Sequence, residues 1–235
     1  MAIDILIKNA ICVSHKGTAP ADVAIKDDII VAIGDLDNLE AEEIIDAQGL
    51  HLLPGVIDTQ VHFREPGAEA KEDLESGSRA AVMGGVTAVF EMPNTKPSTT
   101  TSKALKDKVM RATNRMWCDF AFYVGATSKN AKQLAKLERE PGCCGVKIFM
   151  GSSTGDLLVS DDAALAEILA NGTRRVAIHA EDEERLIARK TLSEEGGVAQ
   201  HPVWRDVETA YKATDRILDL ARRTGRRIHV LHVTT

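Results

Sequence analysis

Hydrophobic and polar positions change rhythm once along this chain, near residue 53. Upstream, short β-branched runs are separated by polar punctuation. Ile5-Leu6-Ile7, Val23-Ala24-Ile25 and Ile29-Ile30-Val31-Ala32-Ile33 read as strands, with Lys26-Asp27-Asp28 as the turn between the last two. Gly34-Asp35 and Gln48-Gly49 punctuate further. Residues 1–52 are therefore expected to form a small β-domain. Downstream, apolar runs alternate with amphipathic stretches. Strands are predicted at 86–92, 118–124, 143–150, 176–179 and 228–233. Helices are predicted at 71–83, 102–114, 131–140, 161–170, most of 181–195, and 206–224. Gly84-Gly85, Pro141-Gly142 and Gly225 close three of them. Such alternation implies a parallel sheet with right-handed crossovers. About six strand–helix steps fit into residues 53–235, where a closed barrel has about eight. The expected fold class is α/β: an incomplete (β/α)8 TIM barrel over 53–235, preceded by the small β-domain.

The junction carries the chemistry. Leu53-Pro54-Gly55-Val56-Ile57-Asp58-Thr59-Gln60-Val61-His62-Phe63-Arg64-Glu65-Pro66-Gly67 reads as a buried strand opening into a loop. Gln60, His62 and Arg64 alternate, so on a strand they share one face. Polar side chains at a buried strand end are costly unless they bind something. In a parallel barrel, that end of the strand is where chemistry sits.

Further candidates lie at later strands. Lys147 is a lone lysine inside an apolar strand; on residue grounds alone it would more often snorkel outward. His179 and His232 end two other strands, and either alone would more often be a satisfied core histidine. Together with His62 and Lys147 they make a constellation suited to zinc. Met92-Pro93-Asn94-Thr95 reads as a turn. Gly151-Ser152-Ser153-Thr154-Gly155-Asp156 lacks the Lys-Ser/Thr ending of a P-loop and is expected as a loop at the rim of the site. His15 and His51 are expected at the surface, His229 away from the site, and His201 in a loop, 201–205.

Composition narrows the class without naming it. Hydrophobic residues make 44% and charged ones 27%, ordinary for a globular chain of 235 residues. With aromatics at 4%, aliphatic residues and Ala must fill the core. A net charge of -6 argues against nucleic acid or an anionic membrane as partner. No apolar run is long enough to span a bilayer, and residues 1–4 do not open a signal peptide. Cys12, Cys118, Cys143 and Cys144 show no Cys-x-x-Cys spacing, so free thiols in a reducing cytoplasm are expected.

The stretch 53–67 resembles the metal-binding signature of the amidohydrolase superfamily in the form carried by dihydroorotases, Pro-Gly-x-Ile-Asp-x-His-x-His-x-Arg-x-Pro-Gly. Gln60 stands where that signature has its first histidine. The resemblance implies zinc held by His62, carbamylated Lys147, His179 and His232, with Gln60 a poor substitute ligand. It implies one tight zinc ion and a second that is weak or absent. It implies that Arg64 and Asn94 bind a substrate carboxylate. The general base is an aspartate after the eighth strand, beyond Thr235, so no catalytic residue is assigned here. Residues 1–52 would be part of a composite β-sandwich, with two further barrel strands also beyond Thr235. The implied reaction interconverts N-carbamoyl-L-aspartate and dihydroorotate in pyrimidine synthesis, with zinc polarising the ring carbonyl and activating water. Allantoinase and dihydropyrimidinase or hydantoinase are the neighbouring activities, and Arg64 with Asn94 favours dihydroorotase over them. A non-catalytic homologue serving aspartate transcarbamoylase as a structural partner is the alternative of another class, raised by Gln60. A homodimer and aspartate transcarbamoylase are the partners expected besides the small-molecule substrate.

Overall fold

The computed structural model describes residues 2–151 and 156–233. Contacts divide the chain into two compact units, Met1–Val56 and Ile57–Thr235.

The first unit is a sheet of β1 (Ile3–Ser14), β2 (Gly17–Lys26), β3 (Ile29–Gly34), β4 (Ala41–Asp46) and β5 (His51–Leu52). The order is β3-β2-β1-β4, with β5 also on β1. β1–β2 and β2–β3 pair antiparallel, whereas β4 and β5 run parallel to β1. Asn9, with φ 56°, lies where the β1–β2 register shifts between Ile7 and Ala10. Ile3, Leu6 and Ala24 form the small core of this unit. Sequence pattern did not suggest β4, because Ala-Glu-Glu-Ile-Ile-Asp is acidic and only half apolar; its extended form comes from pairing with β1.

The second unit alternates strands and helices. Its elements are β6 (Val56–Val61), α1 (Leu74–Met83), β7 (Val86–Glu91), α2 (Ser102–Ala112), β8 (Asp119–Gly125), α3 (Leu134–Leu137), β9 (Cys143–Phe149), α4 (Asp162–Ala170), β10 (Val176–His179), α5 (Glu183–Ala188), α6 (Lys190–Glu195), α7 (His201–Trp204), α8 (Val207–Thr224) and β11 (Ile228–Val230). The strands lie in sequence order, β6 to β11, in one six-stranded sheet. Pairing is parallel from β7 through β11. The α/β class and the incomplete barrel expected from the pattern are therefore what the chain forms.

The sheet has two apolar faces, as a barrel wall requires. Phe122, Val124, Val146, Ile148, Val176 and Ile178 pack outward against Leu74, Leu105, Leu165, Ile168, Ala213 and Ile217 of the helices. Met92, Tyr123, Ala177 and Leu231, with Phe90 and Cys144, form a second cluster on the inner face. Cys144 reaches that face through an irregularity in the β8–β9 register, where Phe122 pairs Cys143 but Tyr123 pairs Gly145. Four helices start at an aspartate whose side chain accepts a backbone N–H of the first turn: Asp73, Asp161, Asp182 and Asp206. Gly225, at φ 69°, ends α8 in the left-handed conformation that glycine adopts freely.

Several expectations need correction. Residues 181–195 form two short helices, broken at Arg189. Over 131–140 there is a 3-10 turn, Ala131–Gln133, followed by only one turn of α-helix. The 201–205 stretch is not a loop: His201–Trp204 is helical, with Pro202 in the first turn, where its missing N–H costs nothing. β11 ends at Val230, so His232 does not end a strand; it lies in a bend with φ 37°. Residues 152–155 of the predicted rim loop lie outside the described residues. Among the described residues, no helix is long and apolar enough to cross a membrane.

Candidate active site

The C-terminal ends of the strands bring most of the predicted residues to one end of the inner face. β9 contributes Lys147 from the middle of the sheet. Its side chain is buried, with the ammonium nitrogen 4.3 Å from the Phe149 ring centroid. Among the described residues no carboxylate pairs with it, and burial lowers its pKa to about 7. A lysine that snorkels outward is thereby excluded.

His179 closes β10, and its position is fixed on both sides. Nδ1 lies 3.0 Å from Nε2 of His232, and Nε2 lies 2.5 Å from Oε2 of Glu181. A carboxylate only accepts, so His179 carries its proton on Nε2. Its Nδ1 lone pair then accepts from His232, whose proton sits on Nε2. Burial lowers the His232 pKa, with smaller contributions from His179 and from the charge of Lys147.

β6 supplies the other side. His62 follows its last residue, and Nδ1–H donates to Oδ1 of Asn94 at 2.9 Å. That contact leaves the Nε2 lone pair of His62 free. Burial lowers its pKa to about 4; the Arg64 and Lys147 charges add to this, and Asn94 opposes it. The shared electrostatic influence of Lys147 on His62 and His232 reflects its position between the two edge strands.

The predicted alternation of Gln60, His62 and Arg64 holds only in part. β6 stops at Val61, Phe63 turns into the helix-side core, and Arg64 adopts φ 63°. Arg64 thus leaves the strand and does not share its face by pleating. It is half-buried, and among the described residues no carboxylate lies within 4 Å of its guanidinium. Gln60 is half-buried on β6, with its backbone N–H on Asp58. Asn94 meets His62, not Arg64. His15, His51 and His229 are exposed, and His201 packs edge-on 6.2 Å from Trp204.

Do these residues fit zinc? Two imidazole nitrogens on one tetrahedral ion, each about 2.0–2.1 Å from it, stand ~3.3 Å apart. The His179–His232 nitrogens, at 3.0 Å, need only a small separation to accept such an ion. Uptake would also require His232 to move its proton to Nδ1, whereas His179 already offers a lone pair. Lys147 as an ammonium repels a cation; as an anionic carbamate it would attract one. The donor set therefore fits, on condition that Lys147 is modified. Among the described residues, the one group of three His, Cys, Asp or Glu donors already convergent is Asp22, Asp35 and Asp37, in the first unit. Those are occupied: Asp22 accepts from the Asn9 and Leu36 backbones, and Asp37 pairs with Lys8.

Sequence reasoning missed three groups around this site. Glu181 was read only as an acidic helix start, although an acid two residues after a strand-end histidine can reach it. Glu91 and Lys108 form a buried, hydrogen-bonded pair behind His62 and Arg64. The signal for Lys108 was its place in the apolar stripe Leu105, Lys108, Val109, Ala112 of α2.

The incomplete barrel thus carries a buried lysine on β9, with His179 closing β10 and with His62 and His232 just past β6 and β11. The amidohydrolase family profile matches residues 51–233, and the chain belongs to that family. An allantoinase of Bacillus velezensis is 34% identical over 244 residues, covering 100% of this chain and 53% of that protein. A dihydroorotase of Methanosarcina acetivorans is 35% identical over 237 residues, covering 99% and 50%. The solved L-hydantoinase (dihydropyrimidinase) from Arthrobacter aurescens superposes with a TM-score of 0.91 at 33% identity, covering 98% of this chain and 53% of that one. The chain spans about half the length of the curated relatives it matches.

Proposed function

We propose that this chain belongs to a zinc-dependent cyclic amide hydrolase of the dihydroorotase type, which interconverts N-carbamoyl-L-aspartate and dihydroorotate in a cytoplasmic setting. The observation that carries the choice is Arg64: a half-buried guanidinium beside His62, without a carboxylate partner among the described residues. A guanidinium in that state suits the substrate's carboxylate, which it can grip with two parallel hydrogen bonds. The amide nitrogen of Asn94 is free to add another while its oxygen holds His62.

His62, His179 and His232, with Lys147 as carbamate, would hold the metal. The ions supply Lewis acidity toward the amide carbonyl and water when bound. The lowered pKa of Lys147, about 7, supports the modification. A neutral amine nitrogen forms a bond to the carbon of CO2 and releases one proton, giving the carbamate anion.

The relatives named allantoinase and L-hydantoinase support a second reading, hydrolysis of a ring without the carboxylate. Steady-state rates of the full-length protein on dihydroorotate, allantoin and hydantoin decide between them. Dihydroorotate is expected to turn over fastest, and faster turnover of either other substrate would reverse the choice. Metal analysis of the same preparation addresses the scaffold alternative, since a metal-free protein would favour a structural partner over an enzyme.

A further inference from the structure

The contact between His179 and Glu181 does not end at Glu181. The same Oε2 that faces His179 at 2.5 Å lies 3.5 Å from Nη2 of Arg205. Arg205 in turn sits over Trp204, 5.2 Å from guanidinium carbon to ring, and Trp204 Nε1–H donates to the Leu186 carbonyl at 2.8 Å. Arg205 is the residue that joins α7 to the Asp206 cap of α8. His179, Glu181, Arg205 and Asp206 line one cavity of about 360 Å³ together with His201 and His232. The guanidinium thus packs on an aromatic plate that is tied to α5, and it shares Oε2 of Glu181 with His179.

We propose that Glu181 is a positioning residue for His179, and that Arg205 sets the orientation of Glu181. The inference rests on the zinc-hydrolase reading above. An imidazole can present Nδ1 to an ion only if its proton is on Nε2. A carboxylate accepting from Nε2–H selects that tautomer and fixes the ring plane. The neutral ring alone favours that tautomer only weakly, and without the carboxylate His232 could either donate to or accept from Nδ1 of His179. Arg205 keeps the carboxylate from rotating out of line, because one oxygen cannot serve both neighbours from another orientation. The short 201–205 segment thereby acquires a purpose: it delivers a cation behind the acid.

The test uses zinc affinity and tautomer, not turnover. Zinc affinity of the full-length protein is measured by chelator competition for the unmutated chain, His179→Ala, Glu181→Gln and Arg205→Met. The His179 tautomer is read from the nitrogen chemical shifts of labelled histidines. Glu181→Gln is expected to weaken the tight zinc about 10–100-fold, the range for loss of such an outer partner, and to reduce the population protonated at Nε2. Arg205→Met should weaken zinc less, and add nothing in a Glu181→Gln background. If Glu181→Gln does not fold, Arg205→Met still reads the orientation effect. Zinc binding that is sensitive to His179→Ala but indifferent to both other changes would overturn this inference alone. Absence of zinc from the unmutated protein, or indifference to His179→Ala, would overturn the metal-site reading and this inference with it.

Discussion

Arg64 is held at φ 63° and turned away from the strand that precedes it. Such a backbone costs a non-glycine residue energy, so its side chain is aimed by the loop and not by pleating. Arg64→Ala should therefore remove a directed charge and leave the fold intact. Loss of a forked, charge-assisted contact is expected to cost about 2–5 kcal/mol of binding, seen mainly as a higher KM for dihydroorotate. An unchanged KM would mean that Arg64 serves another purpose. Gln60 carries the second prediction at this scale. A carboxamide oxygen binds zinc less well than an imidazole nitrogen. Metal titration of the full-length protein should give a single tight zinc per chain, and Gln60→His should add a second; two equally tight ions without mutation would refute this. As residue types, Lys147, His179 and His232 each had a commoner role, and only their recurrence at several strands in one chain singled them out as candidates. Two contacts at the site were not legible in this way: Asn94 with His62 and Arg205 with Glu181 join the ends of separate elements, which spacing along a chain does not reveal.

At the scale of elements, two contacts tie neighbouring elements together. Lys108 of α2 donates to Glu91 and to the Met92 carbonyl, tying the helix to the end of β7 just before Pro93-Asn94. Burial raises the Glu91 pKa to about 7 against the pull of Lys108, and burial lowers that of Lys108. Lys108→Met leaves the acid unpaired and should cost about 3–5 kcal/mol of stability, whereas Lys108→Met with Glu91→Leu should recover much of it. Denaturant midpoints of the three proteins measure this, and a double variant no better than the single one would contradict it. Asp206 makes the second contact. Its carboxylate caps α8 at Thr209 and takes two hydrogen bonds from Arg185. Those bonds, Arg185 first, hold its pKa well below the usual carboxylate range. Because the unfolded chain then takes up the proton first, this contribution is complete above about pH 4 and fades as the pH falls further. The stability gap between the unmutated protein and Asp206→Asn should shrink in the same window; a gap constant down to pH 2 would argue against the ion pair. Helix starts were legible here, since Asp161 and Asp206 stand at the predicted boundaries. The break at Arg189 was not, because charges on an exposed surface continue across it without a change of pattern.

At the scale of the molecule, the strand order β6 to β11 was legible because alternation allows little else, and the inner and outer faces follow from it. The first unit was read less well: β4 and β5 exist by virtue of β1, a partner far away in sequence. One feature of the sheet reaches further. His62 and His232 follow its two edge strands, and Lys147 stands on a strand between them. The span from His62 to His179 and His232 is then set by how tightly the sheet curls. With the tight zinc expected on the His179 side, occupancy of the weaker position near His62 should follow that curl, so a second metal becomes a gauge of barrel closure during folding that needs no attached dye.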